Sequence, residues 1–507
     1  MKKIKLNKKI IVYFLVVVLI AVATTAIILV YRKNNQKRQI LRSSYQLNLS
    51  FDENDHKLKG KEKIDYVNNS ENCFDYLYFH LYPNAFRQGS KASVVSDNNI
   101  EVAYPNGLSY GEISILKVYS ENESDLSFTI EGEDENILSV KLSQPLYPEE
   151  RCYFTIEFET ILPNINHRFG YGEDTINFGN FYPVACIYEE GKGFAKALYH
   201  SNGDPFYSEC SNYEVEIECD KNFVIASSGV EISNLQDDAK QIAKYEAKNV
   251  RDFAFVLSKN FSQVSSEVDG VKVTYYGYEG DTNLENCLKV SVDALATFND
   301  MFGKYPYKTL SVVKSNFIHG GMEYPNIVLI SDKIDDYKDL NYVIVHEIAH
   351  QWWYGLIGND QYNDAWIDEG LAEFSTLLFF EKNAEYGEDY KTLINNALNS
   401  YLLFEDVYIK VAGSVDGRID RAINEFETEP EYSQCTYTKS VLMLNSFREL
   451  IGKDKMIKTL KKMQEKYQYN LITPEQFIAE FEKYGGKETE SFFRNWLDGK
   501  VILKKVG

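Results

Sequence analysis

From residue 45 the chain alternates between apolar and polar positions. The alternation is clearest over residues 45–51, where Tyr45, Leu47, Leu49 and Phe51 are the apolar members, and it recurs over 154–158 and 213–217. A period of two, with turn residues such as Asn68-Asn69 and Asn202-Gly203 between the segments, is typical of half-buried antiparallel strands. The alternation continues to about Phe261 without an internal repeat. These segments predict a β-rich N-terminal domain over residues 45–265.

The pattern changes near residue 270. Residues 271–276 favour one more strand, whereas Asn283 to Phe302 carries apolar residues at helical spacing. After residue 335 nearly every segment has the helical period. The sequence therefore predicts a second, mostly α domain over residues 266–507, and an α+β multidomain fold for the chain.

An uncharged apolar run, Ile10 to Tyr31, follows a lysine-rich start. At ~1.5 Å per residue, a helix over this run crosses a hydrocarbon core of ~30 Å. The run is longer than the ~7–15 apolar residues of a cleaved signal peptide, although Ala21-Val22-Ala23 resembles a cleavage site and keeps that alternative open. We interpret residues 1–31 as a cytoplasmic tail and transmembrane helix, and residues 32–44 as a tether.

Basic residues flank both ends of this run, so the positive-inside rule decides little about its orientation. Large domains are translocated largely regardless of flanking charge. The expectation is a single-pass protein of the cell membrane, held there through residues 10–31, with the large C-terminal part outside the cytoplasm.

The formal net charge of −21 argues against nucleic acid as a partner, because phosphate is repelled by an acidic surface. It is compatible with cationic substrates, and equally with a simple role in solubility. Seven scattered cysteines without a C-x-x-C pair do not form a disulfide scaffold. A single bridge, for example between Cys210 and Cys219, is left open.

The segment His346-Glu347-Ile348-Ala349-His350 has the form H-E-x-x-H. It lies in an apolar stretch, Tyr342 to Ile357, that suits a buried helix. Residues four apart share one face of a helix, so both imidazoles can reach one metal ion, and neutral histidine is a good zinc ligand. The alternative is a pair of histidines that merely pack within a helix.

Glu369 supplies the missing ligand of such a site. It follows His350 by nineteen positions, far enough for the first helix to end near 355–359 and for a second helix to present Glu369. His-His-Glu is a catalytic zinc set that leaves one position open for water. The sequence therefore predicts one Zn²⁺ per chain on His346, His350 and Glu369, against the alternative that Glu369 is a solvated surface residue.

Together these motifs resemble the aminopeptidase N and leukotriene hydrolase family of gluzincin metallopeptidases. The zinc motif continues into W-x-D-E-G-L-A at 366–372, and Gly320-Gly321-Met322-Glu323 is similar to the family's G-x-M-E-N segment, with Tyr324 in place of Asn. Residues 437–440 resemble the family's Tyr-x-Lys-Gly, with Ser440 in place of Gly. Residues 81–86 and 250–255 are similar to segments of the family's N-terminal β domain.

The resemblance thus spans most of the chain after Tyr45, and it implies a thermolysin-like fold for residues 266–507. The chain ends soon after residues 492–497, where the family's catalytic domain normally closes. We therefore expect a short form without the large C-terminal helical domain of many members, and a less enclosed active site.

The resemblance also implies roles for individual side chains. Glu347 is the general base that takes a proton from the zinc-activated water. Tyr437 donates to the oxyanion, with Tyr432 as a nearby competitor. Glu323 pairs with a free α-ammonium. The remaining predicted site residues are Gly320, Gly321 and Met322 for substrate binding, and Asp368 or Glu373 as hydrogen-bond partners of the histidines, unless these two are surface groups.

The predicted function is a zinc-dependent aminopeptidase that hydrolyses the first peptide bond of peptides with a free N-terminus. One alternative is a zinc endopeptidase or another hydrolase that uses the same metal. The other is a catalytically dead ectodomain that acts as a receptor, against which the intact His346, Glu347, His350 and Glu369 argue strongly.

Overall fold

The computed structural model describes residues 41–504. The predicted membrane span at residues 10–31 lies outside the described residues, so it stays a prediction. Within residues 41–504, no helix is both long enough and apolar enough to span a membrane. From Arg42 onward the chain forms one compact unit.

The β-rich half begins with the alternating segments identified above. Its strands are β1 (Ser44–Asp52), β2 (Lys57–Val67), β3 (Phe74–His80), β4 (Glu112–Ser120), β5 (Phe128–Glu131), β6 (Ile137–Leu146), β7 (Arg151–Ile161), β8 (Phe169–Tyr171), β9 (Ile176–Phe178), β10 (Val184–Ala185), β11 (Tyr188–Glu189), β12 (Gly193–Phe194), β13 (Ser211–Asp220), β14 (Val224–Ser227), β15 (Val230–Gln236), β16 (Lys240–Val250) and β17 (Phe255–Ser258). Short 3₁₀ turns occur at Tyr82–Phe86 and Asp97–Asn99, and a single helical turn, α1, at Ile100–Ala103.

A seven-stranded sheet in the order β15-β16-β13-β1-β2-β7-β4 forms the largest layer of this half. Two four-stranded sheets, β10-β3-β6-β5 and β14-β17-β9-β8, and the β11-β12 hairpin complete it. The strands were predicted as antiparallel; most are, but β1 pairs in parallel with β13. Parallel strands need a long connection, and the chain between β1 and β13 is long because it includes β2 to β12. Asn202-Gly203, predicted as a turn between strands, lies instead in the irregular segment between β12 and β13.

A five-stranded mixed sheet carries the chain into its second half. Its strands are β18 (Phe261–Val268), β19 (Val271–Tyr278), β20 (Thr309–Ser315), β21 (Gly321–Met322) and β22 (Ile327–Ser331), in the order β18-β19-β20-β22-β21. Residue 265, the predicted domain boundary, falls inside β18. Because β18 pairs along its whole length with β19, it is part of this sheet.

The remaining chain is mostly helical, as the apolar spacing after residue 335 predicts. The helices are α2 (Leu284–Phe302), α3 (Tyr337–Ala349), α4 (Trp366–Lys382), α5 (Tyr390–Ala412), α6 (Glu429–Ser433), α7 (Ser440–Ile451), α8 (Lys453–Tyr467), α9 (Pro474–Gly485) and α10 (Thr489–Leu497). Between them lie 3₁₀ turns at Ala384–Tyr386 and Ile423–Glu425, a π-helical turn at Gln434–Lys439, and the short parallel pair β23 (Ile357–Gly358) and β24 (Asn470–Leu471). The predicted helix 283–302 matches α2, with Asn283 as its N-cap residue.

Apolar side chains bury in two clusters, one between the β-rich sheets and one among the helices. The second cluster holds Trp352 and Trp353, which follow the H-E-x-x-H motif directly, and Trp366, the first residue of α4. All seven cysteines are free thiols, so the bridge between Cys210 and Cys219 that the sequence left open is not formed.

Candidate metal and substrate site

The H-E-x-x-H motif lies at the C-terminal end of helix α3. Asp336 caps the start of α3 by accepting hydrogen bonds from the backbone N–H groups of Lys338 and Asp339. The helix was expected to continue to 355–359, but it ends at Ala349 with His350 as the C-cap. Tyr354, at a positive φ of 107°, turns the chain back, and the Gly355 N–H donates to the His350 carbonyl at 2.9 Å.

Helix α4 brings Glu369 to the two histidines from its first turn. The Nε2 atom of His350 lies 3.1 Å from Nε2 of His346 and 3.1 Å from Oε2 of Glu369, and the third side of this triangle is 3.3 Å. Ligand atoms of a tetrahedral zinc ion are ~3.3–3.6 Å apart. All three residues are buried, and their donor atoms can hold one metal ion. The donor set and its spacing fit zinc.

Backbone and side-chain groups orient the imidazoles from behind. The Nδ1 atom of His350 lies 2.9 Å from the Trp353 carbonyl oxygen. Glu373, one of the two predicted partners, has its Oε1 atom 3.4 Å from Nδ1 of His346, and it also accepts a hydrogen bond from the Tyr342 hydroxyl. The contact of His350 fixes the tautomer and the orientation of that imidazole, whereas the longer approach of Glu373 to His346 lacks hydrogen-bond geometry.

Asp368, the other predicted partner, is buried and bonds neither histidine. Its carboxylate accepts hydrogen bonds from Nδ2 of Asn359 and from Nε2 of Gln361, each at 2.7 Å. The sequence does not predict that Asn359 and Gln361 bond Asp368. Both residues lie in the loop between α3 and α4, where no periodicity indicates a buried role.

Glu347 faces the cavity between the metal-site residues and strand β21. It is buried, and its Oε2 atom has no hydrogen-bond partner among the described residues. A side chain added at Gly321 would overlap the Glu347 carboxylate, so a glycine there makes room for it. Burial raises the pKa of Glu347 to about 7, which suits a group that takes up and releases a proton near neutral pH.

Tyr437 lies in the π-helical turn Gln434–Lys439, and its hydroxyl donates to Oε1 of Glu369 at 2.6 Å. Burial and then the Glu369 carboxylate raise the pKa of Tyr437 well above its ordinary value, so the phenol stays protonated as a donor. The competitor, Tyr432, packs its ring 5.8 Å from that of Tyr437 and places its hydroxyl against Gly203. Of the two tyrosines, Tyr437 is the one that hydrogen-bonds a predicted metal ligand.

Glu323 follows strand β21 and lies on the same cavity. It is 3% exposed, and its Oε1 atom accepts a hydrogen bond from Nε2 of Gln361 at 2.8 Å. Burial and then the Asp204 carboxylate raise the pKa of Glu323 well above its ordinary value. A cation bound beside it would favour the ionised carboxylate, as expected for a site that receives an ammonium group.

The other residues of this segment divide between the cavity and the core. Gly320 and Gly321 line the cavity, and β21 is the edge strand of its sheet, so its free side faces the space in front of Glu347. The Met322 side chain is buried in the β-rich core and does not line the cavity. Tyr324, which stands where the G-x-M-E-N segment has Asn, is also buried. Its hydroxyl donates to Oδ1 of Asn180 at 2.6 Å.

The cavity itself has a volume of about 450 Å³. Beyond the residues already described, it is lined by Asp204 and by Arg168, whose buried guanidinium pairs with the Asp204 carboxylate. A neighbouring cavity of about 680 Å³ shares Tyr342, Glu373 and Tyr437 with it. The two cavities therefore adjoin at these shared residues. Arg168 and Asp204 belong to no sequence motif, so sequence reasoning could not identify them as cavity residues.

The donor atoms from α3 and α4, with the buried Glu347 beside them, form a candidate metal centre. A sequence model of the Peptidase family M1 domain matches residues 287–496, which include every metal-site residue above. Residues 287–496 are therefore similar to a Peptidase family M1 domain.

Curated relatives include human endoplasmic reticulum aminopeptidase 2, which is 20% identical over 414 residues, 74% of this chain and 41% of the relative. Aminopeptidase N of Lactococcus lactis subsp. lactis is 23% identical over 240 residues, 43% of this chain and 27% of the relative. The chain thus spans less than half the length of these relatives.

The M1 zinc metallopeptidase of Deinococcus radiodurans has the same fold. Its crystal structure superimposes with a TM-score of 0.66 at 15% identity, covering 92% of this chain and 96% of that one. A mutant of that metallopeptidase, solved with a Tyr-Ser-Ala substrate bound, aligns with a TM-score of 0.64 at 15% identity over 91% of this chain and 95% of the other.

Proposed function

We propose that this protein is a zinc-dependent aminopeptidase, with one Zn²⁺ held by His346, His350 and Glu369. The observation that carries the proposal is a shared cavity: the three ligand side chains, Glu347 and Glu323 all line it. A metal site with a buried carboxylate beside it can hold a peptide by its N-terminal ammonium while the first peptide bond reaches the metal. The match of residues 287–496 to the Peptidase family M1 domain and the aminopeptidase relatives support the same activity.

Bound zinc would polarise the scissile carbonyl and make water acidic enough to act as a nucleophile near neutral pH. Glu347 takes the proton from that water on its free Oε2 atom and delivers it to the leaving amine. The Tyr437 hydroxyl donates to the developing oxyanion once a substrate is bound. The hydrogen bond from the Tyr437 hydroxyl to Glu369 holds this hydroxyl beside a proposed metal ligand.

The substrate backbone can pair with strand β21. Gly321 and Met322 pair with β22 on one side only, which leaves the other edge free for an extended peptide. The first residue then lies beside Glu323, and the rest of the peptide continues toward the 680 Å³ cavity. This cavity is lined by Asp336, Asp339, Glu373 and Glu388, with Lys338 as the one lysine or arginine among its lining residues, which favours cationic residues downstream of the cleaved bond.

Replacing Glu323 by Ala should weaken turnover of free-amine substrates while zinc stays bound. A charge-assisted contact to an ammonium contributes ~1.5–3 kcal/mol, or roughly ten- to a hundredfold in kcat/KM. The measurement is kcat/KM on a short peptide, together with zinc content. Glu323→Gln is the matched variant: it keeps the shape but not the charge, so it should lose a similar factor. Wild-type kinetics in both variants would contradict the role of Glu323.

We also propose that residues 10–31 anchor the protein in the cell membrane, with the enzyme outside the cytoplasm. Deletion of residues 1–40 should then yield an active enzyme free of the membrane, because the described fold begins after this segment. The measurement is the partition of activity between membrane and soluble fractions for the two chains. Protease treatment of intact cells tests the side: survival of the enzyme in cells, with digestion in lysates, would place it in the cytoplasm.

A hydrolysis panel of aminoacyl-arylamides, with and without a chelator, tests the proposed activity as a whole. We expect hydrolysis of at least one member, loss of activity with chelator and recovery on addition of Zn²⁺. Hydrolysis that is indifferent to the chelator would contradict the zinc-dependent mechanism.

A further inference from the structure

Two buried glutamines join residues 323–326, called the Glu323 segment below, to the metal-site residues. The first, Gln351, comes directly after His350 and is 1% exposed. Its Oε1 atom accepts a hydrogen bond from the Asn326 N–H at 2.8 Å, and its Nε2 atom donates to the Tyr324 carbonyl at 3.1 Å. The side chain thus bonds the backbone on both sides of Pro325. One end of the Glu323 segment is held to the residue next to a proposed zinc ligand.

The second, Gln361, joins two carboxylates. Its Nε2 atom donates to Oε1 of Glu323 at 2.8 Å and to Oδ2 of Asp368 at 2.7 Å, so both N–H bonds of the amide are used. With both carboxylates ionised, the reversed amide would place its oxygen against two negative groups, which favours the bridging orientation. Asp368 directly precedes Glu369 in the chain, so this bridge also ends one residue from a proposed zinc ligand.

These bridges hold Glu323 by its backbone and by its carboxylate. On its other side, the segment is held by Tyr324, whose hydroxyl bonds Asn180, which in turn donates to the buried Asp252 carboxylate. One residue of extended peptide spans ~3.3–3.6 Å. A displacement of Glu323 by about 1 Å would therefore be a large fraction of one residue, and misplacement on that scale costs up to about a hundredfold in rate.

We propose that Gln351 and Gln361 are positioning residues that fix the distance between Glu323 and the metal, and so select the first peptide bond for cleavage. The inference rests on the proposed aminopeptidase function. Both glutamines act through Glu323 and need not touch the substrate. A purely structural role would lower activity on every substrate alike, whereas a positioning role alters the dependence on a free amine.

Gln361→Met tests the side-chain bridge, because methionine has a similar length and no donor. We expect KM for a free-amine tripeptide to rise and kcat/KM to fall about tenfold or more, with zinc content unchanged. The slow cleavage of the N-acetyl twin should stay as in the wild type, since that substrate makes no ammonium contact. An unchanged ratio of free to acetylated rates would overturn the inference.

Gln464→Met is the matched control. Gln464 is a buried glutamine of helix α8. Its Nε2 atom donates at 2.8 Å to the carbonyl of Trp352, which lies in the turn after α3, and among the described residues it has no bond to the Glu323 segment. This variant should keep the wild-type ratio of free to acetylated rates. If it shifts the ratio as much as Gln361→Met does, the effect is a general loosening of the site and the inference fails.

Gln351→Met tests the backbone bridge through a different readout. With the segment less firmly held, the enzyme should release a measurable share of N-terminal dipeptide beside single amino acids, detected by mass spectrometry of the products. Release of single residues only, at wild-type rate, would overturn the role of Gln351. A wild-type enzyme without preference for free amines would instead contradict the proposed function itself, which separates the two failures.

Discussion

Glu347→Gln should retain zinc and lose most of its turnover, on the order of a hundredfold or more. Glutamine has the shape of the carboxylate and fits the space that Gly321 leaves, so the cavity stays intact. Glutamine cannot accept a proton at neutral pH. The position of the free Oε2 atom that faces the cavity is taken by the NH₂ group or by the oxygen of the amide. The loss should therefore fall on kcat, since neither the proposed metal ligands nor Glu323 is changed.

The measurement is kcat on one arylamide, with zinc content determined for the same preparation. A variant that binds zinc stoichiometrically and is inactive supports Glu347 as the base. Near-wild-type turnover would mean that another group takes the proton. Loss of zinc would mean that Glu347 holds the metal, which its position outside the His346, His350 and Glu369 triangle argues against.

Glu369→Ala should lose zinc and with it essentially all hydrolysis. The two histidines alone provide a weaker site, and the missing carboxylate also leaves the Tyr437 hydroxyl without its acceptor. Removal of Glu369 takes negative charge from a buried cluster in which the Nε2 atoms of the two histidines lie 3.1 Å apart. The metal-free variant should still fold, because the apolar side chains of α3 and α4 supply the packing between these helices.

Zinc content after dialysis, compared with wild type and with Glu347→Gln, provides the test. We expect a zinc-depleted Glu369→Ala protein beside a zinc-loaded Glu347→Gln protein. Equal zinc in both variants would remove Glu369 from the proposed ligand set, and it would require another carboxylate, such as Glu323 or Asp368, at the metal.

The sequence predicts much of this fold because its strongest signals are periodic. Alternation over 45–51, 154–158 and 213–217 lies within β1, β7 and β13, and the helical spacing of 283–302 corresponds to α2. Pairing is harder to predict, since alternation reports which face is buried but not which strand lies beside it. The parallel β1-β13 pair joins residues far apart in the chain, and nothing local to either strand specifies it.

At the candidate site, the spacing of His346 and His350 and the later Glu369 suffices to predict which side chains converge. The groups that orient these side chains could not be predicted from the sequence. The partner of His350 is the Trp353 carbonyl, and every residue has a carbonyl, so sequence identity carries no signal. Gln361 and Asn180 lie in loops, and their bonds to Glu323 and Tyr324 depend on how the chain returns to the site.

The most direct test of the central claim is the ratio of cleavage rates for a short peptide and its N-acetyl twin with the wild-type enzyme. A free N-terminus is largely an ammonium at neutral pH, whereas acetylation removes the charge and adds bulk beside Glu323. An aminopeptidase that binds this ammonium should cleave the free peptide roughly ten- to a hundredfold faster, or more. Equal rates for the two peptides would contradict the aminopeptidase assignment and favour an endopeptidase, even if His346, His350 and Glu369 hold zinc.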